Sequence, residues 1–391
     1  MDIRAAIRTE GLQPSKIREV LTKVQELKKQ GKNIIDFSIG RPNFDTPEHI
    51  KEATKKALDE GKVHYTATPG SMEFRKAVCT RLYEDFKIDA QPENVIETLG
   101  ATEAIVAALL GILNPGDEVI VPIPSYVYYD GWIHLTGAKA VHVPLTINDD
   151  FTLTADNLEN YITEKTKCII LNTPNNPTGI IIDEKNIKKI AELAVKHNLI
   201  VISDDIYNGV IYDNVNYNPI VNLPNMMERT IVIGSFSKTY AMDGWRIGYL
   251  VVPKALLSGI LKIHQHMISC PNTFVEIGGI EALTGPQDCV KEMVKEFERR
   301  RNYIMKSLDE MNIEYVKPQG AFYIFPSIKK YGLSSSEMSI YLLEKAGIAV
   351  VPGSAFGETG EGYIRISFAA SFEDIELGMK KMKEALAELN K

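Results

Sequence analysis

The chain has 391 residues, of which 45% are hydrophobic and 24% are charged, and its formal net charge at pH 7 is −7. This composition is typical of a globular protein, and it argues against disorder and against a surface that binds nucleic acid. No uninterrupted apolar run approaches the ~20 residues that span a bilayer, and the charged N-terminus is unlike a secretory signal, so we expect a cytoplasmic protein without a membrane partner.

Cysteine and histidine positions do not indicate a metal site or a disulfide framework. The four cysteines are widely separated and include no C-x-x-C pair: Cys79, Cys168, Cys270 and Cys289. We expect them to be reduced and mostly buried. His264 and His266 lie in a helical-looking stretch where residues two apart do not face each other, so we predict no metal there. The patterns G-x-G-x-x-G and G-x-x-x-x-G-K-[ST] do not occur, so dinucleotide and P-loop nucleotide sites lack their usual signatures.

The first predicted elements are two helices. A helical stripe of apolar residues must dock on another element to be stable, and we expect it to join a small domain. Its members are Ile17, Val20, Leu21, Val24 and Leu27. Thr46 then predicts an N-cap, with Pro47 as the first residue of the second helix.

Strand-like and helix-like segments alternate through the middle of the chain. The predicted strands are 94–99, 117–122, 168–172, 199–205, 230–234 and 247–252, and the predicted helices lie near 102–113, 126–136 and 183–197. Because these strands are apolar on both faces, the alternation predicts an α/β fold whose large domain has a mostly parallel sheet covered by helices.

The C-terminal part changes character after a long charged helix that begins near residue 286. Short strands are predicted in AFYIF (321–325), IAVV (348–351) and YIRISF (363–368), between amphipathic helices. We interpret this part as α+β. The predicted division is a small domain of residues 1–45 and 290–391 and a large domain of residues 46–289.

Polar residues follow several of the predicted strands, at the sheet edge where ligands bind in open parallel sheets. Gly100, Ala101 and Thr102 open a helix whose free amides and dipole favour an anion such as phosphate, although a simple turn and helix cap is an equal alternative. The turn 173–179 is rich in proline and asparagine and can present one amide to a ligand, although loops of this composition are usually structural.

Asp204 and Tyr207 follow another buried strand. An unpaired carboxylate in this position would be costly, so we expect Asp204 to meet a cation. A protonated pyridine nitrogen would satisfy it, and the pairing would keep the ring able to accept electrons from a carbanion.

The most informative stretch is SFSKTYAMDGWRIGY (235–249), which follows the predicted strand 230–234. Lys238 can form a Schiff base with a carbonyl cofactor, while Ser235, Ser237 and Arg246 can donate to a phosphate on the same molecule. Together with the preceding loops, these groups match pyridoxal 5'-phosphate (PLP). The stretch also fits the S-x-x-K signature of serine acyl-enzymes, but the S-D-N and K-T-G companions are missing.

Motifs over essentially the whole chain resemble the PLP-dependent aminotransferases of fold type I, in the class I/II aspartate aminotransferase family. In the family's order they are IGRPNFDTP (39–47), HYTATPGSMEFR (64–75), NTPNNPTG (172–179), DDIY (204–207), the lysine stretch above and YIRISFA (363–369). The resemblance implies PLP as cofactor and transfer of an amino group from an L-amino acid to a 2-oxo acid. It favours aspartate or an aromatic amino acid with 2-oxoglutarate.

The resemblance also implies roles at the cofactor ring. Lys238 would bind the cofactor covalently and then carry the proton between the substrate Cα and the cofactor. Asp204 would pair with the ring nitrogen, and Tyr207 and Asn176 would hydrogen-bond its phenolic oxygen. Tyr126 would stack on the ring.

For the cofactor phosphate, the resemblance implies one set of donors in the same chain. They are the amides of Ala101 and Thr102, together with Ser235, Ser237 and Arg246. Tyr65 would reach the phosphate of a neighbouring subunit, which makes the active site a property of a homodimer.

Two residues are implied to hold the substrate beside Asn176. Gly40 would let the backbone approach it, and Arg365 would clamp its α-carboxylate through a planar bidentate pair. Without the resemblance, an inter-strand salt bridge is an equal alternative for Arg365. The identity of the substrate stays open at three positions. Thr102 fills a position that varies among relatives, whereas Asp243 and Arg41 differ from the residues that the family commonly has there. Arg41 is a candidate for a distal carboxylate, although a solvated or salt-bridged role is the stronger alternative.

Two other functions remain open on the same fold. A β-lyase would use the same cofactor, because the protein only steers the fate of the carbanion. A sensor domain would keep PLP without turnover, but the chain has no basic helix-turn-helix region appended to it.

Overall fold

The computed structural model describes residues 4–12 and 16–389. Its helices are α1 Lys16–Lys29, α2 Glu48–Asp59, α3 Met72–Phe86, α4 Ala101–Ile112, α5 Tyr129–Leu135, α6 Ala155–Glu159, α7 Glu184–Lys196, α8 Phe236–Thr239, α9 Lys254–Ile268, α10 Thr273–Thr284, α11 Asp288–Glu310, α12 Ser335–Ala346 and α13 Phe372–Leu389. Its strands are β1 Ile35–Asp36, β2 Val95–Thr98, β3 Glu118–Ile123, β4 Lys139–Pro144, β5 Thr166–Asn172, β6 Ile200–Asp204, β7 Thr230–Ser235, β8 Gly248–Val251, β9 Tyr323–Ile324, β10 Ile348–Ala349, β11 Val351–Pro352 and β12 Ile364–Ser367.

One seven-stranded sheet organises the middle of the chain, in the order β2-β8-β7-β6-β5-β3-β4. Strands β3 to β7 pair with their neighbours in parallel, and β8 runs antiparallel between β7 and β2. The predicted mostly parallel sheet is therefore confirmed. Because β8 opposes both of its neighbours, β2 points the same way as β5, β6 and β7, and the carboxyl ends of these four strands lie at one edge.

Helices cover both faces of this sheet. Ile169 and Leu171 of β5 pack on one face with Ile187 of α7, whereas Ile170 packs on the other face with Ile260 of α9. Each fully buried side chain of this size contributes ~1.5–3 kcal/mol to stability. The continuous apolar runs of these strands are thus explained by burial on two sides.

Helix α2 begins one residue later than predicted. Pro47 takes the N-cap position, and no side chain caps the helix. The Thr46 hydroxyl instead donates to the carbonyl of Ala241 at 2.7 Å and accepts from Trp245 Nε1 at 3.0 Å. The N-cap prediction was wrong because tertiary partners take up this hydroxyl, which thereby fixes the segment that follows Lys238.

Two small sheets form outside the large one. Strands β11, β12 and β9 make an antiparallel sheet in that order, and β1 pairs in parallel with β10. The single strand predicted in IAVV is therefore two short strands that belong to different sheets. The register places Arg365 of β12 opposite Val351 of β11.

Segments from both ends of the chain share apolar cores. Val24 and Leu27 of α1 are buried with Leu343 of α12 and Ala349 of β10, and Val20 packs against them, so the predicted stripe docks. The side chains of Ile17 and Leu21 lie outside the described residues. A larger core joins apolar residues from near both termini, among them Ile35, Phe297, Ile348, Ile366 and Ile375. None of the helices among the described residues has the length and apolar character needed to cross a bilayer.

Candidate active site

The strand ends at the carboxyl edge of the large sheet open into a cleft of about 460 Å³. Every predicted site residue except Tyr65 lines it: Gly40, Ala101, Thr102, Tyr126, Asn176, Asp204, Tyr207, Ser235, Ser237, Lys238, Arg246 and Arg365. Tyr65 is 92% exposed and lies beside a separate depression with Thr66 and Thr68. Residues far apart in sequence are therefore brought together, and Tyr65 lies outside the cleft of its own chain.

Lys238 lies on the short helix α8, which starts directly after β7. The Ser235 side chain accepts a hydrogen bond from Ser237 N at 3.2 Å and so caps this helix. Lys238 Nζ donates to the carbonyl of Gly40 at 2.6 Å. Burial lowers the pKa of Lys238 to about 8, because the charged ammonium is disfavoured away from water. Roughly a tenth of the amine is therefore uncharged and nucleophilic at pH 7, far more than for an exposed lysine.

Asp204 ends β6 as a fully buried carboxyl. It accepts a hydrogen bond from the Tyr129 hydroxyl and a longer one, 3.4 Å, from the amide of Ile206. Burial raises the pKa of Asp204 to about 6. No cationic side chain among the described residues forms an ion pair with it, so the carboxyl faces the cleft without the cation that the sequence predicts.

The cofactor-free protein provides a direct test of the cost of burying this carboxylate, because Asp204→Asn removes the buried charge. The folded state raises the carboxyl pKa from 3.8 to about 6, so Asp204 costs least below pH 4 and destabilises the fold as the pH rises through 6. At about 1.4 kcal/mol per pH unit, the advantage of the asparagine variant reaches on the order of 3 kcal/mol at pH 8 and roughly half of that at pH 5. Urea unfolding at the two pH values measures it.

The surface variant Asp288→Asn is the control, because its carboxylate is exposed beside Lys291. An Asp204→Asn advantage that is the same at pH 5 and pH 8 would contradict the raised pKa.

An anion site lies where α4 begins. Gly100 has φ +83°, and a Cβ at this position would lie 2.8 Å from a terminal nitrogen of Arg246, so only glycine fits. Within the described part of the chain no side chain caps α4, which leaves the amides at its start open to a ligand. Arg246 donates to two backbone carbonyls, Asp243 O at 2.9 Å and Leu99 O at 3.3 Å. It has no carboxylate partner among the described residues, and the arrangement favours a phosphate.

Arg365 is a buried guanidinium with neutral partners. It donates to Asn176 Oδ1 at 3.1 Å and to Ser38 O at 2.6 Å, and it lies 4.4 Å from the centre of the Tyr323 ring. Its Nε has no partner within the described part of the chain. No carboxylate pairs with Arg365 among those residues, so the alternative of an inter-strand salt bridge is wrong. A buried guanidinium with an unpaired donor is suited to bind a carboxylate of a ligand.

Two tyrosines that contact the predicted residues were missed by the sequence prediction. Tyr129 donates to Asp204, and Tyr323 OH lies 2.9 Å from Tyr207 OH. A Cβ on Gly40 would lie 2.8 Å from Tyr323 OH, so a larger residue here would have to displace the Tyr323 hydroxyl. The run of tyrosines in PSYVYY was a signal for Tyr129, whereas AFYIF carries only a strand pattern that gives no indication of Tyr323.

Tyr126 forms part of an aromatic wall of the cleft. Its ring packs edge-on against Tyr128 and Tyr129, and Tyr128 stacks on Trp132 with centroids 5.9 Å apart and an interplanar angle of 21°. The wall therefore consists of several rings that support one another, where the sequence suggested one stacking residue.

Comparison with known proteins identifies the class. The family model described as aminotransferase class I and II matches residues 32–381. Aromatic-amino-acid aminotransferase 2 of Thermococcus litoralis is 43% identical over 384 residues, covering 97% of this chain and 98% of that protein. Aspartate aminotransferase of Pyrococcus abyssi is 44% identical over 378 residues, covering 96% of each chain. The structure of an aromatic aminotransferase from Pyrococcus horikoshii OT3 has a TM-score of 0.89 at 42% identity, covering 93% of this chain and 99% of that chain.

The chain belongs to the aminotransferase class I and II family. Its fold is that of the fold type I enzymes, and it is an amino acid aminotransferase, as the motifs predict. The β-lyase alternative finds no support among these relatives, and neither does the sensor or the serine acyl-enzyme. The matched residues 32–381 include the lysine stretch and every residue that lines the cleft.

Proposed function

We propose that the enzyme uses PLP, the cofactor on which this family depends, and binds it in the cleft described above. The observation that carries the proposal is the presence of Lys238 and Asp204 in the same cleft. A partly neutral lysine amine and a buried carboxyl without a cation share one cleft, and a phosphate site lies beside them. PLP carries the three complementary groups, which are an aldehyde, a basic ring nitrogen and a phosphate.

Each residue of the cleft then has its own role toward the cofactor or the substrate. Asp204, oriented by the Tyr129 hydroxyl, holds the proton of the ring nitrogen. Asn176 and Tyr207 donate hydrogen bonds to the phenolic oxygen. Lys238 binds the cofactor and, once released, moves the proton at the substrate Cα. When bound, PLP supplies an electron sink that stabilises negative charge at that carbon.

The phosphate is held by donors that converge where α4 and α8 begin. They are the amides of Ala101 and Thr102, the hydroxyls of Ser235 and Ser237, and the guanidinium of Arg246. Tyr126 packs on the ring from the aromatic wall. Support comes from Arg246, whose acceptors among the described residues are only backbone carbonyls and which therefore retains free donors.

Arg365 binds the α-carboxylate of both the amino donor and the oxo acid. Its orphaned Nε and its fixed fork supply donors for two carboxylate oxygens. Gly40 lets the backbone approach the substrate at the point where Lys238 Nζ donates to the Gly40 carbonyl.

For the donor side chain we propose an aromatic amino acid, with aspartate as the second candidate and 2-oxoglutarate as the acceptor. The stacked pair Tyr128 and Trp132 gives the cleft an aromatic wall suited to a planar ring. Arg41 is exposed at the same cleft and has no partner among the described residues, so it can meet the distal carboxylate of an acidic substrate. Relatives named for aromatic and for aspartate substrates are equally similar to this chain.

The absorbance of PLP-loaded protein tests the chemistry and the donor together. Single L-amino acids are added without an oxo acid, and we expect aromatic donors to convert the bound cofactor to its pyridoxamine form faster than aspartate does. Addition of 2-oxoglutarate should reverse the change. Protein that binds no PLP would overturn the proposal, and a bound cofactor that neither donor class converts would overturn the substrate assignment.

We also propose a cytoplasmic homodimer in which Tyr65 reaches the neighbouring subunit's phosphate. The high exposure of Tyr65, away from its own cleft, supports this role. Residues 1–45 and 290–391 would form the small domain and residues 46–289 the large one, with residues 1–3, 13–15 and 390–391 outside the described part. Sedimentation at the mass of a single chain would contradict the dimer, recovery outside the cytoplasmic fraction would contradict the location, and limited proteolysis tests the domain boundary.

A further inference from the structure

His264 of α9 is completely buried and lies outside the cleft. Its Nδ1 is 3.0 Å from Glu103 Oε1 in α4, and its Nε2 is 2.7 Å from the carbonyl of Thr68. His266, two residues further along the same helix, is exposed. The two histidines therefore have unrelated environments, and His264 joins three separate segments of the chain.

The contacts of His264 define where protons must lie. A backbone carbonyl can only accept, so Nε2 carries a hydrogen. A second proton must lie between Nδ1 and the Glu103 carboxylate for that contact to be a hydrogen bond. One proton is therefore shared between His264 Nδ1 and the Glu103 carboxyl, and a second is donated from Nε2 to the carbonyl of Thr68. The geometry thus gives a buried histidine whose two ring nitrogens are both held by hydrogen bonds.

The hydrogen bonds continue from this pair to the phosphate site. The second carboxylate oxygen of Glu103 accepts from the amide of Leu99 at 3.1 Å. The carbonyl of Leu99 in turn accepts from Arg246 at 3.3 Å. Leu99 directly precedes Gly100 and the open amides of α4. Every step from His264 to Arg246 is therefore a contact within hydrogen-bond distance or a covalent bond.

The other end of the network is the loop 64–71, which carries Tyr65. Thr68 O receives the His264 hydrogen bond, while Thr66 donates to Glu276 Oε2 at 3.1 Å and Ser71 N also donates to Glu276. The loop thus has a second anchor in α10 that does not involve His264. Loss of His264 would leave that anchor in place and would release the Glu103 side of the network.

We propose that His264 is a positioning residue for the cofactor phosphate. Through Glu103 it fixes the Leu99–Thr102 turn against Arg246, and through Thr68 it ties this turn to the loop that carries Tyr65. This inference rests on the proposed function, because it takes the anion at the start of α4 to be the PLP phosphate. The imidazole ring itself lies outside the cleft that would hold cofactor and substrate.

The test compares three variants of the full-length enzyme. His264→Gln removes the imidazole partner of the buried Glu103 carboxyl, and we expect PLP to bind about tenfold more weakly, the effect of losing one hydrogen bond to a charged group. In the double variant His264→Gln, Glu103→Gln, the amide at position 264 can donate to Thr68 O and accept from the amide at position 103, whose oxygen can still accept from Leu99 N, and we expect affinity to return to within about threefold of wild type. His266→Gln is the matched control on the same helix.

Each variant is titrated with PLP and with pyridoxal, which lacks the phosphate. A positioning role for the phosphate predicts that His264→Gln weakens PLP binding and leaves pyridoxal binding as in the His266→Gln control. Equal losses for both ligands would indicate a general structural defect and would overturn the inference. PLP binding as tight in His264→Gln as in the control would overturn it as well.

A second readout does not depend on the cofactor. The chain has 7 histidines, so ¹⁵N-histidine spectra of the wild-type protein are simple enough to assign by substitution. We expect Nε2 of His264 to carry a hydrogen, because its partner, the carbonyl of Thr68, can only accept. An unprotonated Nε2 would overturn the network even if the variants failed to fold. Wild-type protein that binds no PLP, with Nε2 protonated, would overturn the proposed function and the phosphate role while leaving the hydrogen-bond network intact.

Discussion

Substitution of Lys238 by alanine is expected to abolish transamination. Proton transfer by a positioned side chain contributes ~10²–10⁴-fold to rates, and the variant also loses the covalent attachment of the cofactor, so turnover should fall by about 10⁴-fold or more. Among the described residues the cleft has no substitute amine, since the other cations that line it are arginines. Single-turnover conversion of the bound cofactor by an excess of donor measures the chemical step directly.

The variant must retain its fold and its cofactor for this result to be informative. Arg246, Asp204 and the start of α4 are untouched, so PLP should still bind noncovalently and an added amine such as methylamine should restore a fraction of the proton transfer. Lys262→Ala, at an exposed position of α9, is the control for loss of a lysine. Retention of more than about a tenth of wild-type turnover in Lys238→Ala would be incompatible with the proposed mechanism.

The pH dependence of this step follows from burial. Because the pKa of Lys238 is lowered to about 8, the uncharged fraction of its amine increases as the pH rises through that value. Asp243 lines the same cleft and acts in the opposite direction, since its negative charge favours the ammonium. The unusual aspartate in the lysine stretch therefore tunes the group that the sequence identified, an effect that no local pattern predicts.

The large sheet was predictable because its strands are continuous apolar runs, which can be recognised in the sequence without knowledge of the tertiary structure. Runs such as Ile169–Leu171 are apolar at successive positions, and only a strand buried on both faces uses such a run fully. Once the sheet is parallel, the residues that follow its strands must meet at one edge. This is why Asp204, Lys238 and Asn176 were found together from sequence.

Prediction failed where a residue's role depends on a distant partner. Thr46 has the sequence of an N-cap, but Ala241 and Trp245 take its hydroxyl. The split of IAVV into β10 and β11 depends on two different partner strands, which the run itself does not encode. Tyr323 lies in an ordinary strand pattern and becomes a site residue only because β9 pairs with β12, the strand of Arg365.

His264 illustrates the same limit. Its spacing from His266 argued against two ligands on one helix face, and spacing could not reveal a hydrogen-bond network built with Glu103 and Thr68. These partners lie more than 150 residues away in the chain. A buried histidine is interpretable only when the acceptors at both ring nitrogens are known.

Substitution of Arg365 by lysine is expected to weaken both substrates. Arginine holds Asn176 and Ser38 while still offering donors to a carboxylate, whereas a lysine ammonium is a single point charge that cannot make the planar two-point contact. Loss of one hydrogen bond to a charged group costs about 1.5–3 kcal/mol, which corresponds to a decrease of roughly 10- to 150-fold in kcat/KM. Steady-state kinetics with one varied substrate at a time measures this decrease.

The pattern across substrates separates the α-carboxylate from any other group. Donor and acceptor both carry an α-carboxylate, so kcat/KM should fall for the amino acid and for the 2-oxo acid, with KM rising in each case. PLP affinity should stay unchanged, because the phosphate site is built from other residues. Arg299→Lys, on the surface of α11 beside Glu296, is the control. If Arg365→Lys lowered kcat/KM for only one of the two substrates, Arg365 would serve a side-chain group, and the carboxylate assignment would have to move to another cation of the cleft.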